Sequence, residues 1–242
     1  MTDKSDNLFA KPQQQLPFQF DEKVAEVFPD MIKRSVPGYT TIVQHIEKFA
    51  SRFITDNSNC YDLGCSLGAA SLAISNGNLA NNVKIIGIDN SIEMLNRCQQ
   101  HINAFKHKTP IELVHQDITQ VTMNCASLVV LNFTLQFIPV EQRSNLLTNI
   151  FNSLNHQGAL ILSEKVSFKQ PEVNNLIIDL HHEFKKENGY SDLEISQKRN
   201  ALENILIPES LNEHIERLLS IGFSSATCWF QQFNFVSIIA IK

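Results

Sequence analysis

The 242-residue chain has no run of about 18 or more apolar residues, the length a bilayer-spanning helix needs. Its first twenty residues carry KPQQQLP at 11–17, where a secretory signal requires an apolar segment. A cytoplasmic protein without membrane contact is therefore expected. The cysteines are odd in number, and Cys60, Cys65, Cys98, Cys125 and Cys228 include no Cys-x-x-Cys pair. That pattern argues against a disulfide framework and a zinc site and suits reduced thiols, so no metal is expected. Basic excess is missing too: 20 Lys and Arg stand against 25 Asp and Glu, with a pI near 5.9. A protein that grips nucleic acid through phosphates needs the opposite balance, so small molecules are the expected ligands. Finally, the full Gly-x-Gly-x-x-Gly fingerprint is absent, which disfavours a nicotinamide dehydrogenase.

What is present is 43% hydrophobic residues, enough to bury one large α/β domain carrying an insertion. The organising stretch is CYDLGCSLG at 60–68, the end of a buried strand, a glycine turn and the opening of a helix at 69–74. Gly64 and Gly68 let the backbone take unusual dihedrals and a ligand come close, and the helix start offers unpaired N–H groups. A strand later, VKIIGID at 83–89 ends in Asp89, whose carboxylate suits the two hydroxyls of a ribose. Together these read as a nucleotide cradle.

Residues 1–20 read as a flexible arm ahead of a single domain over 21–242. Apolar residues Val24, Val27, Phe28, Met31 and Ile32 predict an amphipathic helix over 21–35, interrupted in pattern by Pro29. A second stripe, Ile42, Val43, Ile46, Phe49, Ala50 and Phe53, completes a helical cap over 21–54. Beyond the cradle the alternation continues, with helices over 91–105 and 141–154 and strands over 111–115, 128–131 and 159–163. Repeated βα units predict a mostly parallel sheet with helices on both faces, and 227–231 with 235–241 predict a closing antiparallel pair. Asn90 or Ser91 caps the helix after the second strand. Residues 155–158 form a turn, and a helix over 210–220 ends at Gly222. The stretch 165–208 exceeds a simple crossover: it holds a helical face with His181 and Phe184, a Gly189 C-cap and a Ser191/Glu194 capping box. It reads as a helical insertion that lids the site or makes a dimer contact.

Gly64-Cys-Ser66-Leu-Gly68 also matches the Gly-x-Ser-x-Gly nucleophile elbow of hydrolases. That elbow normally follows several strands, whereas this turn follows the first, so Ser66 is read as a binding residue. A ligand-free structural turn is the plain alternative. Asp62 points at the crevice or caps the turn. Asp117, in QDI at 116–118, suits the exocyclic amine of an adenine, against a merely solvated role. Asn132 ends the fourth strand near the expected reacting atom, where capping is the alternative. Tyr39 is a packing aromatic or a lid residue. His181 and His182 point about 100° apart on a helix and cannot chelate from one face. Lys198 and Arg199 sit on a predicted helix, where most charges form a solvated face.

These residues resemble the class I S-adenosylmethionine-dependent methyltransferases through DLGCSLG at 62–68, IDNS at 88–91 and QDI at 116–118. A narrower resemblance, over nearly the whole chain, is to the carboxy-S-adenosyl-L-methionine synthases. It rests on DLGCSLG, VVLNFTLQF at 129–137, LSEK at 162–165, ENGYSDLEISQKR at 187–199 and WFQQFNF at 229–235. His156-Gln157 departs from the Pro-Gly-Gly turn common in the broader fold. The resemblance implies that S-adenosyl-L-methionine and prephenate give carboxy-S-adenosyl-L-methionine and phenylpyruvate, the product serving a tRNA carboxymethyltransferase acting on the wobble uridine. It implies that Gly64, Cys65 and Ser66 contact the amino-acid end of the cofactor, Asp89 and Asn90 the ribose side, and Asp117 and Ile118 the adenine. Tyr39, Asn132 and Arg199 complete the site, with Arg199 crossing from the second subunit of a homodimer. An arginine, always charged and bidentate, suits prephenate's carboxylates. An ordinary small-molecule methyltransferase and a non-catalytic cofactor-binding partner of a tRNA-modifying enzyme are the alternatives.

Overall fold

Asp21 opens the first helix, α1 (Glu22–Ser35), by accepting the Val24 N–H at 2.9 Å, and Lys33 and Arg34 sit in its last turn, where cations favour the helix dipole. Pro29 lies inside α1 without ending it, because a proline removes one backbone donor while the buried stripe of Val24, Val27 and Met31 still holds the helix down. α2 (Tyr39–Phe53) follows a left-handed Gly38. The coordinates come from a computed structural model and describe residues 4–12 and 17–242.

The sheet has seven strands: β1 (Asn59–Leu63), β2 (Lys84–Asp89), β3 (Ile111–His115), β4 (Ala126–Asn132), β5 (Leu154–Lys165), β6 (Ser225–Gln232) and β7 (Phe235–Ile241). Their order is β3-β2-β1-β4-β5-β7-β6, with β1 to β5 parallel and β7 antiparallel to both its neighbours. Between them run α3 (Ala69–Gly77), α4 (Ile92–Ala104), α5 (Val140–Ser153), α6 (Pro171–Glu187), α7 (Asp192–Leu202) and α8 (Leu211–Ile221). The mostly parallel α/β sheet with its closing antiparallel pair is the expected one. β5 is longer than expected: Leu154 already pairs with Ala126, and the predicted turn at 155–158 is an irregularity in the ladder, with Gln157 at φ +62°.

Central parallel strands are covered on both faces, so their side chains divide by parity. In β4, Leu128 and Val130 pack with Ile42, Ile46 and Ile74, while Val129 and Leu131 pack with Leu146, Leu147 and Leu218. α2 and α3 thus cover one face and α5 and α8 the other. Each fully buried Leu or Ile contributes about 1.5–3 kcal/mol, and a charge at Val130 would break the layer.

Two features turn this scaffold toward the site. Chain order reverses between β1 and β4, and open α/β sheets bind ligands at the carboxyl ends of strands flanking such a switch. Arg143 of α5 is fully buried, donating to Ile138 O at 2.9 Å and Ile207 O at 2.8 Å and pairing with Glu209 at 2.5 Å. It pins the loop after β4 to the end of the segment over 165–208.

In the expected arm, residues 1–3 and 13–16 lie outside the described residues. The described parts make defined contacts: buried Asp6 accepts from Tyr190 Oη, Phe18 N donates to Ala201 O at 3.0 Å, and Phe20 meets Phe137 edge-on at 5.4 Å. Among the described residues no helix is long and apolar enough to cross a membrane.

Candidate functional site

The turn after β1 is left-handed at Gly64 (φ +76°), Ser66 (φ +50°) and Gly68 (φ +81°). A Cβ on Gly64 would overlap the Thr134 side chain, and one on Gly68 would lie 2.7 Å from Cys98 Sγ. Glycine is required at both. Asp89 holds the turn shut, its Oδ2 accepting Ser66 N–H at 2.8 Å and its Oδ1 accepting Ser91 N–H at 2.9 Å. Ser91, not Asn90, caps α4, its Oγ accepting Met94 N–H at 3.1 Å.

Above the turn lies a cavity of about 530 Å³, within the range of about 300–1,000 Å³ usual for small-molecule sites. Tyr39, Gly64, Cys65, Ser66, Asp89, Asn90, Asp117, Ile118 and Asn132 all line it. Asp62 lines it as well, buried, with Ser71 Oγ donating to its carboxylate at 2.6 Å, and burial pushes its pKa up to about 6. Burial also raises Asp89, against the pull of the N–H groups it accepts. Tyr39 is raised by burial and by the Asp62 charge, so its phenol stays protonated. Asp117 is exposed and binds Thr119 N–H and Oγ1–H, each at 2.8 Å, through Oδ1. The Ser66 hydroxyl donates to Met94 Sδ at 3.7 Å rather than to a histidine, which is no nucleophile's setting. Cys65 is buried against Cys98, whose thiol and the loss of water hold it protonated.

Asn132 Oδ1 is buried with no partner among the described residues. An orphan buried acceptor is costly unless a ligand donor satisfies it. The residues therefore fit an adenosyl amino acid: glycines that let its backbone-binding end approach, free carboxylate lone pairs on Asp89 for hydroxyls, and Asn132 as acceptor for an amine.

The sequence reading missed the cations. Lys165 at the end of β5, Lys185 on α6 and Lys198 on α7 line the same cavity. Lys198 was expected on a solvated face, but it is buried, donating to Ser35 Oγ at 2.9 Å with its ammonium 5.6 Å from the Tyr190 ring centre. Burial lowers all three, Lys185 to about 7 and Lys198 to about 8. His181, also on the cavity, has Nε2 2.9 Å from Ser35 O, and burial lowers it to about 2, so it stays uncharged. Arg199 is exposed and does not line the cavity of its own chain. The adjacency of Lys198 and Arg199 was the available signal, since one faces inward while the next points out.

Comparison with known proteins bears on this site. A family described as "Methyltransferase domain" matches residues 61–158. The carboxy-S-adenosyl-L-methionine synthase of Histophilus somni (strain 2336) is 54% identical over 238 residues, covering 98% of this chain and 99% of that one. That of Pseudoalteromonas atlantica is 52% identical over 242 residues, covering all of both. The chain belongs to the carboxy-S-adenosyl-L-methionine synthase family. Among solved structures, an S-adenosyl-L-methionine-dependent methyltransferase from Methanococcus maripaludis has a TM-score of 0.62 at 21% identity, covering 96% of this chain and 97% of that one. Human N-acetylserotonin methyltransferase has 0.59 at 16%, covering 91% and 55%. These share the methyltransferase fold with this carboxy-S-adenosyl-L-methionine synthase family member.

Proposed function

We propose that the enzyme converts S-adenosyl-L-methionine and prephenate to carboxy-S-adenosyl-L-methionine and phenylpyruvate. One observation carries the reading: the five segments that bear the family resemblance, 62–68, 129–137, 162–165, 187–199 and 229–235, meet on one cavity through Asp62, Asn132, Lys165, Lys198 and Phe235. A glycine-turn cradle alone would support any methyltransferase. The convergence of the later segments on it supports a two-substrate site.

S-adenosyl-L-methionine supplies a methyl carbon acidified by the neighbouring sulfonium. The chain's part is to bind and shield. Gly64, Cys65 and Ser66 form the backbone cradle, Asp89 with Asn90 takes the ribose, Asp117 with Ile118 takes the adenine, and Asn132 and Tyr39 border the reacting end. The insertion closes the cavity on the remaining side and keeps water from it. The enzyme works as a homodimer in the cytoplasm, Arg199 reaching the partner's cavity to clamp a carboxylate, and its product feeds a tRNA carboxymethyltransferase. No metal takes part in this reading.

Mass spectrometry tests it. Nucleosides released from the denatured protein, and products of incubation with S-adenosyl-L-methionine with and without prephenate, should contain the carboxylated cofactor. Methylated acceptors without any carboxylated nucleoside would favour an ordinary methyltransferase and end this reading.

A further inference from the structure

The cavity has a cationic wall beyond the residues assigned to the cofactor. Lys165, Lys185 and Lys198 come from three different elements, β5, α6 and α7, and face one space. None of them forms an ion pair among the described residues. Lys185 feels the charges of Lys165, Lys198 and Arg199, all repulsive, while Asp6 and Asp30 help only Lys198. α6 also carries His181 and His182, both held toward the neutral form, Asp179, which acts on His182, Glu183, and Lys186, which pairs with Asp192. Of the acids on the cavity, Asp62 and Asp89 lie at the carboxyl ends of β1 and β2 and Asp117 follows β3, on the cradle side. Three ammonium groups gathered out of water, with acids near Lys198 but none acting on Lys165 or Lys185, are unfavourable unless an anion completes them.

We propose that Lys165, Lys185 and Lys198 form the binding site for the carboxylates of the co-substrate, a dicarboxylate, opposite the cofactor's cradle. The assignment rests on the prephenate reading above and adds the residues that select for it. The adenosyl amino acid brings its cationic sulfonium against the acidic side. The dianion lies on the lysine side, so opposite charges in the two ligands draw their reacting ends together in the centre. Arg199 from a partner would add to a wall already built within one chain.

The test is calorimetric titration of prephenate into protein saturated with S-adenosylhomocysteine. Lys185→Met and Lys165→Met are each expected to weaken prephenate at least about tenfold, leave S-adenosylhomocysteine affinity within about twofold, and raise the KM for prephenate more than they lower kcat. Lys185→Arg should restore most of the affinity. Unchanged prephenate binding in both Met variants, with carboxylated product still made by the wild type, overturns the lysine assignment and leaves the function standing. No prephenate binding and no carboxylated product in the wild type overturns both. If a variant loses its thermal transition, the wild type carries the test: at pH 8 prephenate should bind with net proton uptake as Lys185 and Lys198 recharge, and binding without uptake overturns the assignment.

Discussion

The Asp89 carboxylate accepts the Ser66 N–H at 2.8 Å, so the tip of β2 fixes the left-handed turn that follows β1. The same carboxylate caps the approach to α4 through Ser91 N–H. It therefore shapes the cradle before any ribose reaches it. Hydrogen bonds to a charged group are worth about 1.5–3 kcal/mol each. Asp89→Ala is expected to raise the Kd for S-adenosyl-L-methionine about 10- to 100-fold in calorimetry, with the fold retained in circular dichroism. Because burial raises this carboxyl's pKa, affinity should also weaken on acidification before ordinary surface carboxylates titrate. An unchanged Kd in Asp89→Ala would show that the turn holds itself.

Gly64 presses on the other side of the same turn. An alanine there meets the Thr134 side chain and must hold φ +76°, where an L-residue costs about 1–2 kcal/mol before the overlap is counted. Gly64→Ala is expected to lower Tm and to weaken cofactor binding more than tenfold (about 1.4 kcal/mol per decade). Adding Thr134→Ala should recover part of the loss by removing the overlap but not the backbone strain. A full recovery would mean the dihedral carries no cost.

These two positions also show what the sequence made legible. Glycine at a strand-to-helix turn and an acid ending the next strand are local signals, since each follows from a backbone dihedral or a strand terminus. The alternation of β and α elements was equally local, and even the caps at Ser91, Ser191 and Ser210 follow from short-range chemistry. Lys165, Lys185 and Lys198 were not readable, because they are separated along the chain and only the packing of the insertion over the sheet brings them together. Pro29 shows the limit from the other side: a helix breaker by local rule is tolerated where tertiary packing holds the helix. The phenylalanines at 18 and 20 sit in polar company in the sequence, yet both line the cavity.

Glu164 stands one residue before Lys165 and is fully buried, with Oε1 accepting Leu135 N–H at 3.0 Å and Oε2 unpartnered. Burial raises its pKa from an ordinary 4.5 to about 8, against the attraction of Arg143. A folded pKa above the unfolded one means that folding takes up a proton. The stabilising contribution is whole below about pH 4.5 and is lost as pH rises through 8. Thermal melts of the ligand-free protein should therefore lose Tm from about pH 4.5 to about pH 8 and level off above that, by about 2–4 °C per kcal/mol for a chain of this size. Glu164→Gln should flatten that slope. An equally steep slope in the variant would assign the loss to another group.

Arg199 offers the sharpest test of the proposed dimer. It is exposed on α7, while its neighbour Lys198 turns into the cavity, so the helix presents a cation on each side. Arg199→Ala is expected to keep S-adenosyl-L-methionine affinity and lose at least about a hundredfold in turnover, the scale of a severed bidentate carboxylate clamp. The two-chain reading makes a further demand. Arg199→Ala protein mixed and reassembled with Asp89→Ala protein places an intact cradle beside an intact Arg199 in one of the two sites of each hybrid. At an S-adenosyl-L-methionine concentration that saturates the wild type but lies well below the Kd of Asp89→Ala, where each parent alone is nearly inactive, random equal assortment then restores about a quarter of wild-type activity. If each chain used its own Arg199, the hybrid would contain no complete site and the mixture would stay inactive.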